Sequence, residues 1–157
     1  MSGSRSFSTS DASESPERTE VVLSLTTVQK MLPLVQQIAG ELMTSHQAIA
    51  RLRPEEETLD RKRHSLDWPG RKRRYEVKEE LAKADKDLEV AHAELRELGL
   101  IVLNELEGCI GFPTMVNNRR AFFSWRLGDA SLQHWCFVDD DTERPIPVSW
   151  LKEIASH

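Results

Sequence analysis

Apolar positions along the chain change their spacing once. Val28, Met31, Val35, Ile38, Leu42, Ser45, Ile49 and Leu52 alternate by three and four residues, and all but Ser45 are apolar. That pattern predicts a long helix with one continuous seam. Ser24 is placed to cap it by accepting from the amide of Thr27. Leu23 and Val28 fall at the two positions of a hydrophobic staple. Pro33 lies inside the run and is expected to bend the first turns. A second column, Leu25, Leu32 and Ala39, widens the apolar stripe beyond what a two-helix contact needs.

Val77, Leu81, Ala84, Leu88, Ala91, Leu95 and Leu98 repeat the spacing without a miss. They predict a second helix over about 71–98, with Gly99 supplying the left-handed residue that ends it. Between the seams, residues 53–70 read as a connection carrying its own short helix. Pro54 suits a first helical position, and Glu55–Glu57 and Arg61–Arg63 match the two ends of a helix dipole. Trp68-Pro69-Gly70 reads as the stop. Two seams joined this way fold most simply as an antiparallel helical hairpin, each helix on the order of 40 Å long.

After Gly99 the spacing becomes two, and strands are expected at about 100–104, 109–115, 120–127 and 131–138. Asn117-Asn118 tolerate positive φ and predict a two-residue hairpin turn. Leu127-Gly128-Asp129-Ala130 reads as a second such turn. With both turns tight, Ile110, Phe112, Ala121, Phe123, Trp125, Leu132, His134 and Cys136 share the core face. Cys109, Arg120, Phe122, Ser124, Arg126, Gln133, Trp135 and Phe137 take the other. A slip of one residue at either turn would reverse a strand. Ser149 is placed to cap a last short turn over 150–155. The predicted class is α+β: a long, coiled-coil-like antiparallel helical hairpin over 23–99, then a small antiparallel β meander over 100–157 that covers the surplus stripe.

Composition narrows the functional classes. The chain has 157 residues, 39% hydrophobic and 30% charged, with a net charge of -5. No global field draws it to nucleic acid or an anionic membrane. No apolar stretch approaches the roughly 20 residues of a membrane span, and no secretory leader is visible. Cys109 and Cys136 lack CxxC spacing, so a reducing, cytoplasmic home is expected. Residues 1–22 are Ser-rich and apolar-poor, and are expected to be disordered.

Several runs resemble a known family. They are Met31–Val35 (MLPLV), Gly111–Pro113 (GFP), Arg119–Asp129 (RRAFFSWRLGD), His134–Trp135 (HW) and Arg144–Trp150 (RPIPVSW). The chain resembles the uncharacterised bacterial family catalogued as domain of unknown function 2203, over residues 23–150. The Trp-Arg-Leu-Gly-acid run is the most specific part. This chain has Gly111 where much of the family has Asp, and Cys136 where many members have His. A site built from that pair would be incomplete here. The resemblance implies a helical hairpin with a β appendage and carries no activity.

Candidate chemistry is sparse. Arg126, Trp135 and Arg144 form a candidate anion site, because guanidinium groups offer planar forks of donors. The ordinary alternative pairs Arg126 with a nearby acid. His134 and Cys136 are zinc-capable residues, but no third or fourth ligand has matching spacing, so neither metal nor cofactor is expected.

The segment from Arg51 to Arg74 has nine Lys or Arg against five acids. Its tip residues Arg61, Lys62, Arg63, Arg71, Lys72, Arg73 and Arg74 could meet phosphates, with Trp68 and Tyr75 adding stacking surface. A solvated or self-associating tip outweighs that reading, since the helix from Glu76 to Glu97 carries eight acids against four bases. No nucleophile–His–acid order or phosphate-binding glycine loop emerges. The expected role is a non-enzymatic interaction or scaffold protein with a protein partner or a second copy of itself. A small-ligand or anion-binding module is the alternative, and a nucleic-acid tip comes third.

Overall fold

The computed structural model describes residues 22–140 and 142–155; the expected disordered tail lies almost wholly outside them. Helix α1 runs Leu25–Arg61 and α2 runs Trp68–Glu97. Five strands follow: β1 Ile101–Asn104, β2 Cys109–Val116, β3 Arg119–Arg126, β4 His134–Phe137 and β5 Arg144–Pro145. Helix α3, Val148–Ala155, follows β5. The strands form one antiparallel sheet in sequence order. The α+β hairpin-and-meander architecture is therefore what the chain adopts.

Local chemistry sets several element ends as expected. The Ser24 hydroxyl accepts from the Thr27 amide at 3.2 Å. At the end of α2, Gly99 takes φ +81. The Leu100 amide donates to the Leu95 carbonyl and the Gly99 amide to that of Arg96, both at 2.9 Å. This pair of bonds satisfies carbonyls that the helix would otherwise leave open. Asn117 and Asn118 take φ 53 and 62, and Val116 pairs with Arg119 across the tight turn.

The helical connection is shorter than the sequence suggests. No separate helix begins at Pro54; α1 continues through Pro33 and Pro54 to Arg61. Trp68-Pro69-Gly70 starts α2 instead of stopping a helix. Asp67 caps it, accepting from the Gly70 amide at 2.9 Å. Pro69 sits in the first turn, where a missing N–H costs nothing. The true connection is residues 62–67. A proline inside a helix costs about 3 kcal/mol, and contacts across the hairpin offset it at Pro54. Glu55 and Glu56 face cations of α2, while Leu52 and Leu59 enclose a core with Val77 and Leu81.

Among the described residues, buried side chains form two clusters. The larger joins Val28, Leu32, Val35, Ile38, Ala39 and Leu42 of α1 and Ala91 and Leu95 of α2 to the sheet. Its sheet side is Ile110, Phe112, Ala121, Phe123, Trp125, Trp135 and Phe137. Leu32 and Ala39, from the surplus column, are thus covered in the core that the helices share with the sheet. The smaller cluster, Leu52, Val77 and Leu81, contains no sheet residue. From about Ser45 to Arg61 the helix pair is a two-helix arm roughly 25 Å long.

One strand faces the other way from expectation. β3 and β4 are joined by residues 127–133 rather than by a two-residue turn. The Trp125 indole donates to the Asp129 carbonyl at 3.0 Å, and the Asp129 amide bonds back to the Arg126 carbonyl. Phe123 consequently pairs with Trp135, and Ser124 with His134. Trp135 and Phe137 enter the core, while His134 and Cys136 move to the outer face beside Phe122, Ser124 and Arg126. The final helix also begins earlier than expected, at Val148 rather than 150.

Candidate functional site

The reversed β4 separates the candidate anion site. Arg126 is on the outer face of the sheet. Trp135 is on the core face, 8% exposed, with its ring 4.8 Å from Phe137 and 5.6 Å from Trp150. Arg144 pairs with Trp135 across β4 and β5. Its guanidinium lies over the rings of Trp135 and Phe137, at 5.3 and 5.0 Å, and Nη2 donates to Asp140 at 3.1 Å. Arg144 thus stacks on the aromatic edge of the core, and Arg126 is not its neighbour.

Arg126 has partners of its own. Its Nε donates to Glu107 at 3.0 Å and its Nη2 to Glu143 at 3.2 Å. Glu143 also accepts the Ser124 hydroxyl at 2.7 Å. Ser124 is 2% exposed, and its oxygen lies 3.5 Å from the Cys109 sulfur. The Ser124 hydrogen bond, helped by the Arg126 guanidinium and opposed by burial, holds the Glu143 carboxyl below its ordinary range. Burial pushes the Cys109 thiol up. The arginine is therefore neutralised from two sides, and the thiol is kept protonated and poorly nucleophilic.

Sequence reasoning missed this Cys109–Ser124–Glu143–Arg126–Glu107 cluster. A visible signal existed in Ser124, a small hydroxyl placed mid-strand among aromatics, which is tolerated in a buried position only when its hydroxyl is paired. The cluster borders an open cleft of about 490 Å³ that also touches Leu103, Phe122, Cys136 and Asp140. With two acids bound to one arginine and Asp140 beside it, the cleft does not suit an anion. His134 stands opposite Ser124, but the serine hydroxyl is directed to Glu143 rather than to the imidazole, which is not the geometry of an activated nucleophile. Cys109 and Cys136 share the outer face, contrary to expectation. Among the described residues no group of three or more His, Cys, Asp or Glu is arranged to hold a metal ion.

The basic tip divides into two sets. Arg73 donates to Glu55 through Nε at 2.7 Å and Nη2 at 2.9 Å. Arg74 reaches Asp60 at 2.7 Å, and Lys78 reaches Glu56 and Asp60 at 3.2 Å each. These bonds form a ladder between α1 and α2. The Glu55 hydrogen bond raises the Arg73 pKa, and the Arg73 bond lowers that of Glu55. The second set is Arg61, Lys62, Arg63, Arg71 and Lys72. Among the described residues none of these meets a carboxylate; Arg61 bonds Thr58, and Arg71 bonds the Leu66 carbonyl.

A groove opens between the helices nearer the sheet-covered end. Gln37, Gly40, Glu41, Thr44 and Ser45 of α1 and Asp87, Val90 and Glu94 of α2 line a space of about 720 Å³. No sheet residue contributes to it. A Cβ on Gly40 would meet nothing within 4 Å. Val90 is half exposed, as is Leu34, two turns before Glu41 on the same helix face. Three carboxylates give the groove a negative rim, and Lys83 donates to one of them, Asp87, at 2.8 Å.

Among the described residues, no helix is long and apolar enough to cross a membrane. A family model described as "Uncharacterized conserved protein (DUF2203)" matches residues 22–143. No curated protein and no solved structure matches the chain.

Proposed function

We propose a role for a chain that belongs to the DUF2203 family of uncharacterised conserved proteins: it is a non-enzymatic interaction protein whose helical hairpin receives a helix of a protein partner. The observation that carries this reading is the groove over Gly40. Two antiparallel helices with a glycine between them present the shape into which a third helix lays an apolar face. Val90 supplies apolar contact within it, exposed Leu34 lies two turns before Glu41 on α1, and Glu41, Asp87 and Glu94 favour a partner helix with Lys or Arg on its flanks. The alternative occupant is a second copy, but Leu32 and Ala39 of the surplus column that made self-association attractive from sequence are already buried in the core shared with the sheet.

Gly40→Leu tests the reading. The new side chain fills the groove, and loss of a mid-helix glycine favours α1 by about 1 kcal/mol. The parent chain, tagged and expressed in its own cell, is expected to retain a specific partner that the variant, equally or more stable, releases. A variant that keeps the same partner at the same yield sinks the proposal. A parent whose solution mass is twice that of the variant assigns the groove to a second copy.

A further inference from the structure

Sequence alone makes the hairpin tip seven cations, most simply read as a solvated end. The structure sorts them. The ladder takes Arg73 and Arg74, leaving Arg61, Lys62, Arg63, Arg71 and Lys72 gathered around a six-residue turn with no carboxylate opposite them among the described residues. Trp68 and Tyr75 are 63% and 65% exposed beside them. Trp68, Lys72 and Tyr75 are spaced four and three apart on α2, so they lie along one helix face. The Lys72 ammonium sits 5.7 Å from the Trp68 ring centroid.

Large aromatic rings this exposed serve no purpose in the core, where Trp125 and Trp135 are buried. Their distance from the sheet rules out a role in covering it. The helix rises about 10 Å from Trp68 to Tyr75, with Lys72 between them in sequence. We infer that the hairpin tip binds single-stranded nucleic acid, stacking bases on Trp68 and Tyr75 while Lys72 and the cations of the turn meet the phosphates. Aromatic faces alternating with cations are the arrangement by which proteins hold single strands without reading sequence. An acidic protein segment would answer the charge but would leave two adjacent flat rings unexplained. Arg73 and Arg74, between Lys72 and Tyr75 in sequence, are engaged with Glu55 and Asp60 of α1.

The tip is independent of the groove over Gly40, so either reading can fail alone. The test titrates a fluorescent fifteen-residue oligothymidylate and its oligouridylate counterpart with the full chain at about 20 mM salt. Binding is expected to weaken as salt rises, with a log–log slope of about -2 to -3.5 if three to five phosphates are met. Trp68→Ala combined with Tyr75→Ala should lose at least about ten-fold in affinity while far-ultraviolet circular dichroism stays unchanged, because neither ring enters either core. Lys62→Glu with Lys72→Glu should flatten the salt slope. Three outcomes overturn the inference: no binding at low salt, equal affinity for a polyglutamate peptide, or an aromatic double variant that binds as the parent does.

Discussion

Phe123 and Trp135 stand directly opposite each other on the core face of the sheet, and Trp150 contacts both, edge-on to Phe123 and tilted against Trp135. This aromatic group closes the end of the core that α3 covers. Trp135→Ala should therefore cost about 3–5 kcal/mol of stability, measured by denaturant unfolding. His134→Ala, one residue earlier but on the outer face, should stay within about 1 kcal/mol. A reversed ranking would place His134, and not Trp135, in the core.

The Gly99 turn joins the helical half to the sheet. Gly99→Ala places a Cβ at φ +81, where an L residue pays about 1–2 kcal/mol. The expected result is a loss of that size in unfolding free energy with the fold retained. Gly40→Ala, in open space on α1, should move stability the other way.

Acid should expose the Ser124–Glu143–Arg126 cluster. The Glu143 carboxyl is held below its ordinary value of 4.5 by the Ser124 hydrogen bond first and by Arg126 second. A depressed folded-state value means that the contribution is complete above about pH 4.5 and disappears as pH falls through the folded value. Thermal stability measured from pH 7 down to pH 3 should drop in that window. Glu143→Gln should start lower at pH 7 and lose less on acidification.

The two thiols should differ in reactivity. Burial raises the Cys109 pKa and hides its sulfur, so it should react with a disulfide reagent only as fast as the protein opens. Cys136 is half-buried on the rim of the outer cleft and should react in the native state. Two equal fast phases would contradict the placement of Cys109 beneath Ser124.

Most of the fold was legible where chemistry is local. Ser24, Gly99 and Asn117-Asn118 act through bonds and dihedral angles within a few residues, and the structure uses each as the sequence suggests. Pro54 and the 127–133 loop depart from the sequence expectation because their partners are distant. Nothing near Pro54 announces that Glu55 will meet Arg73 on another helix, and nothing near Gly128 shows that Trp125 will pin the Asp129 carbonyl. That single pin shifts the β4 register by one residue and dismantles the expected Arg126–Trp135–Arg144 site. The cluster that replaces it draws Glu107 and Glu143 from two separate loops, so no spacing in the chain could advertise it. The tip was visible as charge, but which cations were already engaged depended on contacts across the hairpin.

The separation of the two buried clusters has a dynamic consequence. Leu52, Val77 and Leu81 share no member with the core beneath the sheet, so the distal arm can open while the sheet end stays closed. Backbone amides near Leu59 and Val77 should then exchange with solvent by a low-energy local event, and those near Phe112 and Trp125 only by global unfolding. A molecule that clamps the tip would slow the first set and leave the second untouched. The arm is thus a reporter of its own occupancy, readable amide by amide without any change in the rest of the chain.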